Sequence, residues 1–63
     1  MNLNTLFKNA TDRQKLCITV DNRRYSGQWY NDNMLEILSR YKYQMVDIIV
    51  ENSDMITATI RRF

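Results

Sequence analysis

The chain has 63 residues, a net charge of +2, no histidine or proline, one cysteine and one glycine. A chain this short forms one domain and buries only about 60% of its unfolded surface, so we expect self-association to add stability. Lacking histidine and a thiolate cluster, a single chain cannot form a zinc site or a Ser-His or Cys-His nucleophile pair. One glycine is too few for a nucleotide-binding loop of the Walker or dinucleotide type. We therefore expect neither a cofactor nor enzymatic activity.

The first predicted element is a short amphipathic helix that follows Asn2 and ends near Ala10. Asn2 is a suitable N-cap, because its side-chain oxygen can accept a hydrogen bond from an amide of the first turn. The apolar residues of this segment have the spacing of one helix face. They are Leu3, Leu6, Phe7 and Ala10.

The next segment predicts a hairpin. Residues 16–20 alternate apolar and more polar side chains, as a half-buried strand does. Asp21 and Asn22 predict the turn, because both residue types tolerate left-handed backbone conformations. A second strand is predicted to run on to Tyr30. Gly27 within it indicates a bulge or the close approach of another backbone.

A second helix and a second hairpin complete the predicted fold. Asn33 and Glu36 have the spacing of a capping box at a helix start. Residues 46–51 and 56–61 then alternate around a polar turn, which predicts an antiparallel hairpin with one buried face. The order α-β-β-α-β-β predicts an α+β fold: a short N-terminal helix and a four-stranded antiparallel sheet with one helix. The expected core is Leu6, Phe7, Leu16, Ile18, Val20, Leu35, Leu38, Val46, Ile48, Val50, Ile56, Ala58 and Ile60.

Four apolar residues fall outside this core pattern. They are Cys17, Ile49, Met55 and Phe63. On the opposite face of the sheet they are either scattered surface residues or an oligomer interface. Edge strands without proline can also pair across a twofold axis. We therefore expect a homodimer or a higher oligomer, with these four residues at its interface.

Basic and aromatic residues predict a binding surface. The pairs Arg23-Arg24 and Arg61-Arg62 suit phosphate groups, and the rings of Trp29 and Tyr30 suit stacked bases. The same residue types are favoured in protein interfaces. An alternative is that Arg23-Arg24 only solvates a turn, Arg61-Arg62 ends the last strand and Trp29 belongs to the core. A net charge of +2 is low for a strong nucleic-acid binder. The candidate binding residues are Arg23, Arg24, Trp29, Tyr30, Arg61 and Arg62.

Several segments resemble very short proteins encoded by bacteriophages and prophages. The segments that carry the resemblance are LNTLF, LCITVDN, YSG, VDIIVEN and ITATI, and the resemblance extends over most of the chain. Some of those viral proteins counter host defence, among them anti-CRISPR proteins whose strand-rich fold is similar to that of the positive-cofactor-four family of single-strand DNA binders. The matching positions are structural, so the resemblance assigns no functional residue. It implies a phage-encoded, oligomeric, non-enzymatic inhibitor.

Three functions remain open. The first is a phage-type accessory protein that binds and inhibits a host defence component, anti-CRISPR or other, by surface contact. The second is a nucleic-acid or nucleotide-binding module that uses the arginine pairs and rings. The third is a metal-dependent DNA-acting enzyme, which needs carboxylates from more than one subunit. No apolar run is long enough to span a bilayer, no basic leader is present and cysteine is scarce, so we expect the cytoplasm of a bacterial host and no membrane partner.

Overall fold

The computed structural model describes residues 1–61, which form two helices and four strands in the predicted order. The elements are α1 Leu3–Asn9, β1 Lys15–Val20, β2 Arg23–Gly27, α2 Asp32–Tyr41, β3 Val46–Glu51 and β4 Met55–Ile60. The α+β class and the α-β-β-α-β-β order are confirmed. The predicted interface residue Phe63 and the predicted binding residue Arg62 lie outside the described residues.

The four strands form one sheet in the order β2-β1-β4-β3. Both hairpins are antiparallel, as predicted. The inner strands β1 and β4 are parallel, however, with Lys15 opposite Met55 and Thr19 opposite Thr59. The sheet is therefore mixed, and the prediction of an entirely antiparallel sheet is wrong at this one pairing. The cause is α2: it returns the chain along the sheet, so β3 starts at the end where β2 started and the two hairpins join in the same sense.

Both helices pack on the same face of the sheet. The start of α1 is fixed beside β3, since the Leu3 amide donates to the Gln44 carbonyl and the Val46 amide donates to the Met1 carbonyl, each at 3.0 Å. α2 packs against β2 and α1. Between the helices and the sheet lies one apolar core, made of Leu3, Leu6, Phe7, Leu16, Ile18, Val20, Met34, Ile37, Val46, Ile56, Ala58 and Ile60.

Local signals in the first half of the chain are confirmed. The Asn2 side chain caps α1 by accepting from the Thr5 amide at 2.9 Å, and the helix ends with Ala10 as its C-cap. Asp21 and Asn22 have φ of 51° and 66°. Two successive positive φ values are those of a type I′ turn, which matches the twist of the strands it joins.

The connection between β2 and α2 differs from its prediction. β2 ends at Gly27, and α2 takes Asn31 as its N-cap, so the capping box at Asn33 is wrong. The Asn33 side chain instead donates to the Ser26 carbonyl at 3.0 Å, which satisfies a backbone group on the edge strand. Gly27 has a φ of 149°, and a Cβ there would lie 2.6 Å from Nδ2 of Asn31. The close approach is therefore that of a side chain.

A β-bulge changes which residues of β3 face the core. Ile48 pairs with Ala58 and Val50 with Thr57, so Ile49 is an extra residue in the strand. The extra residue moves Val50 to the face of Thr57, away from the helices. Ile48 still points to the core side, but it lies in an edge strand. The Ile48 side chain is 38% exposed and that of Val50 is 39% exposed. The prediction that Ile48 and Val50 are core residues is wrong.

The buried side of α2 also differs from the predicted one. Met34 and Ile37 are buried against the sheet, whereas Leu35 is exposed and Leu38 is only partly buried. The helix turns the Leu35 and Leu38 side towards α1, where both residues line a cleft beside Phe7. In α1, Leu3 joins the core although the predicted core omitted it.

Truncating Ile60 should cost much more stability than truncating Ile48. Ile60 is 4% exposed, so Ile60→Ala leaves a cavity and should lower the free energy of unfolding by about 2 to 5 kcal/mol. Ile48→Ala, at a partly solvated edge, should cost about 1 kcal/mol or less. Urea unfolding with an unchanged m-value measures both. Equal losses would contradict the exposure of Ile48 at the edge of the sheet.

Gly27→Ala should destabilise the fold by about 1 to 3 kcal/mol, because its positive φ strains an L-residue and the new Cβ meets Asn31. Ser26→Ala is the matched control. Its side chain is exposed, so it should change the unfolding free energy by no more than about 0.5 kcal/mol. Thermal unfolding of both variants followed by circular dichroism decides this, and a neutral Gly27→Ala would be incompatible with the tight turn.

Candidate functional site

The face of the sheet opposite the helices is the candidate site. Its side chains alternate with the core residues of β1 and β4. Those of Cys17, Thr19, Met55, Thr57 and Thr59 are half-buried. Neither α1 nor α2 covers this side. We call it the open face.

A groove of about 450 Å³ crosses the open face. All four strands contribute to its lining, which comprises Lys15, Cys17, Thr19, Arg24, Tyr25, Ser26, Ile49, Met55 and Thr57. The bulge in β3 supplies Ile49, which is 65% exposed. The groove thus brings together Cys17, Ile49 and Met55, three of the four residues predicted to form an oligomer interface. Their role in self-association stays a prediction.

The groove is electropositive. Among residues 1–61, the charged side chains of its lining are those of Lys15 and Arg24, and no carboxylate lines it. Neither cation forms an ion pair within residues 1–61. Thr19, Ser26 and Thr57 add hydroxyl groups to the lining. An anionic group entering the groove would meet two uncompensated charges and several hydrogen-bond donors.

The acidic residue that β3 contributes to this face is neutralised. Asp47 pairs with Thr59 in the sheet, and its carboxylate accepts from both Nη2 and Nε of Arg61, the latter at 3.4 Å. The hydrogen bond from Arg61, assisted by its charge, lowers the pKa of Asp47 below the ordinary value. The same hydrogen bond raises the pKa of Arg61. Arg61, a predicted binding residue, is thus engaged within the chain.

The five predicted binding residues that the structure describes do not form one surface. Arg23 and Arg24 begin β2, and Arg61 follows β4 at the same end of the sheet. Trp29 and Tyr30 follow the other end of β2. The arginines and the rings are therefore separated by the length of that strand.

Trp29 has a structural role at its end of the sheet. Its Nε1 donates to Oδ1 of Asp12 at 3.0 Å, and its ring packs edge-on against Tyr30 with centroids 5.5 Å apart. The indole is partly buried against the core and borders a cleft of about 320 Å³ between the helices. Tyr30 is exposed beside it.

Of the groove residues that face away from the helices, sequence reasoning missed four: Lys15, Thr19, Ser26 and Thr57. Alternation with the core does place each of them opposite the helices. Alternation does not predict the β1–β4 pairing, however, and it is this pairing that sets Lys15 beside Met55 and Cys17 beside Thr57.

Within residues 1–61, no three acidic or cysteine side chains lie close enough to hold a metal ion. No helix in that part of the chain is long and apolar enough to cross a membrane. No protein-family model, curated protein or solved structure matches the chain. Its function is therefore inferred from the open face.

NMR titration should find the pKa of Asp47 below 3.8, and Arg61→Gln should return it towards that value. Because the pKa is lower in the folded state, this ion pair stabilises the fold above the ordinary pKa. Its contribution is lost as the pH falls through the folded pKa. Arg40→Gln, which removes a cation paired with Glu36, is the control and should leave Asp47 unchanged. An unaltered Asp47 in Arg61→Gln would refute the pairing.

Proposed function

We propose that this chain is a non-catalytic binding protein that inhibits a component of a bacterial defence system by docking its open face on that component. The observation that carries the proposal is the groove, which crosses all four strands on the side that α1 and α2 leave uncovered. The phage-type, anti-defence character is supported by the sequence resemblance alone.

The chemistry of the open face favours a protein partner. Ile49 and Met55 supply apolar contact, and Arg24 lies at the rim. Methionine and arginine are both enriched in protein interfaces. A stacking surface for bases, by contrast, needs rings, and Trp29 and Tyr30 lie elsewhere. Tyr25 borders the groove, but its register with Ile18 assigns it to the core side, against which it packs. The nucleic-acid alternative therefore has less support.

The open face alone is smaller than a standard protein interface, so the docking surface should extend beyond it. Four strands about 4.8 Å apart and six residues long give a footprint of about 400 Å². A standard interface buries about 800 Å² on each partner. The exposed side chain of Val50, which shares the face of Thr57, would enlarge the contact at the β3 edge. We therefore expect the partner to cover this edge as well.

Filling the groove should abolish inhibition without unfolding the chain. Thr57→Tyr places a ring at the centre of the open face while keeping a residue that favours strands. Ser39→Tyr, on an exposed position of α2, is the matched control. The assay is phage plaquing on bacteria that each carry one defined defence system. The wild-type chain and Ser39→Tyr should restore plaquing against at least one system, and Thr57→Tyr should not.

Two outcomes would contradict this proposal. Full inhibition by a folded Thr57→Tyr would show that the open face is not the docking surface. Failure of the wild-type chain against every system tested would count against the inhibitory function. Light scattering on the same variants separates docking from self-association: a change of oligomeric state in Thr57→Tyr would assign the face to contacts between copies.

A further inference from the structure

We infer that the open face recognises an extended acidic segment of its protein partner. This inference deepens the proposed function and rests on it. It starts from charge complementarity: within the described part of the chain, the groove carries the cations Lys15 and Arg24 without an ion-pair partner and without a carboxylate, while Arg61 compensates the nearby Asp47. A segment that brings carboxylates to both cations gains two ion pairs and meets no like charge in the groove.

The spacing of the two cations selects an extended segment. Arg24 lies opposite Thr19, which is four residues beyond Lys15 on β1. At about 3.3 Å per residue and 4.8 Å between strands, the two Cα atoms are about 14 Å apart. Residues i and i+4 of an extended peptide are about 13 Å apart. Two acidic residues four positions apart would therefore reach both cations at once.

The floor of the groove indicates what lies between the two acids. Cys17 is midway along β1 between Lys15 and Thr19, with Ser26 beside it in β2 and Thr57 beside it in β4; Met55 lies two pairs away, opposite Lys15. In an extended segment the side chain at i+2 points the same way as those at i and i+4. It would contact this half-buried floor, which suits an aliphatic side chain. The expected pattern is acidic, any, aliphatic, any, acidic.

Carboxylates suit this groove better than a nucleic-acid backbone does. The planar fork of Arg24 can bind a carboxylate through two parallel hydrogen bonds. Single-strand binders combine a longer basic track with rings for stacking. The rings of Trp29 and Tyr30 lie past the end of β2, and Trp29 is held by Asp12.

Fluorescence anisotropy with two synthetic peptides tests the inference. One carries the core Glu-Ser-Leu-Ser-Glu, and its isomer Glu-Glu-Leu-Ser-Ser has the same composition and charge; both have neutral flanks. The wild-type chain should bind the first peptide about fivefold more tightly than the isomer, because only the first reaches both cations. Lys15→Glu and Arg24→Glu should each weaken binding about tenfold. Lys8→Glu, an equal change of charge on α1, should leave it within about twofold.

Equal binding of the two peptides, or unchanged binding by Lys15→Glu and Arg24→Glu, would overturn the inference. So would a single-stranded oligonucleotide that binds more tightly than the peptide with the same dependence on Lys15 and Arg24. The plaquing assay separates this failure from that of the proposed function. If the two charge-reversed variants inhibit fully and Thr57→Tyr does not, the acidic segment is wrong and the docking face stands. If all three variants inhibit fully, both the acidic segment and the docking face are wrong.

Discussion

The parallel pairing of β1 with β4 is the constraint on which the rest of the structure depends. A two-stranded hairpin is marginally stable in water, and this pairing joins two of them into one sheet. It sets Leu16 beside Ile56 and Ile18 beside Ala58, which makes a continuous apolar strip for the helices. On the other side the same register sets Cys17 beside Thr57. The core and the candidate docking groove are therefore two results of one strand alignment.

The parts of the fold that could be predicted from sequence are those fixed by neighbouring residues. The Asn2 cap and the Asp21-Asn22 turn depend on side chains a few positions apart, and both are confirmed. The parallel pairing could not be predicted in this way, because it depends on the direction in which α2 returns the chain. Val50 shows the other limit: strict alternation assigns it to the core, but one extra residue at Ile49 reverses its face.

The same distinction applies to the candidate site. Alternation alone separated Cys17 and Met55 from the core, and the structure places both in the groove. The chemistry of their side chains predicts one binding surface for Arg24 and Trp29, which are five positions apart in the sequence. β2 is extended between them, however, and five residues of strand span about 16 Å. The two residues are near in sequence but far apart in space, because each residue of an extended chain adds about 3.3 Å.

The central position of β4 also determines how the chain reaches its folded state. Among the described elements β4 comes last in sequence, yet it lies in the interior of the sheet. Lys15 must find Met55, about forty residues away, and contacts of such long sequence separation slow folding. During synthesis the first hairpin can form early, but the inner edge of β1 stays unpaired until β4 has emerged. Completion of the sheet is therefore a late and cooperative step, and until then this edge of β1 is free to pair with other chains.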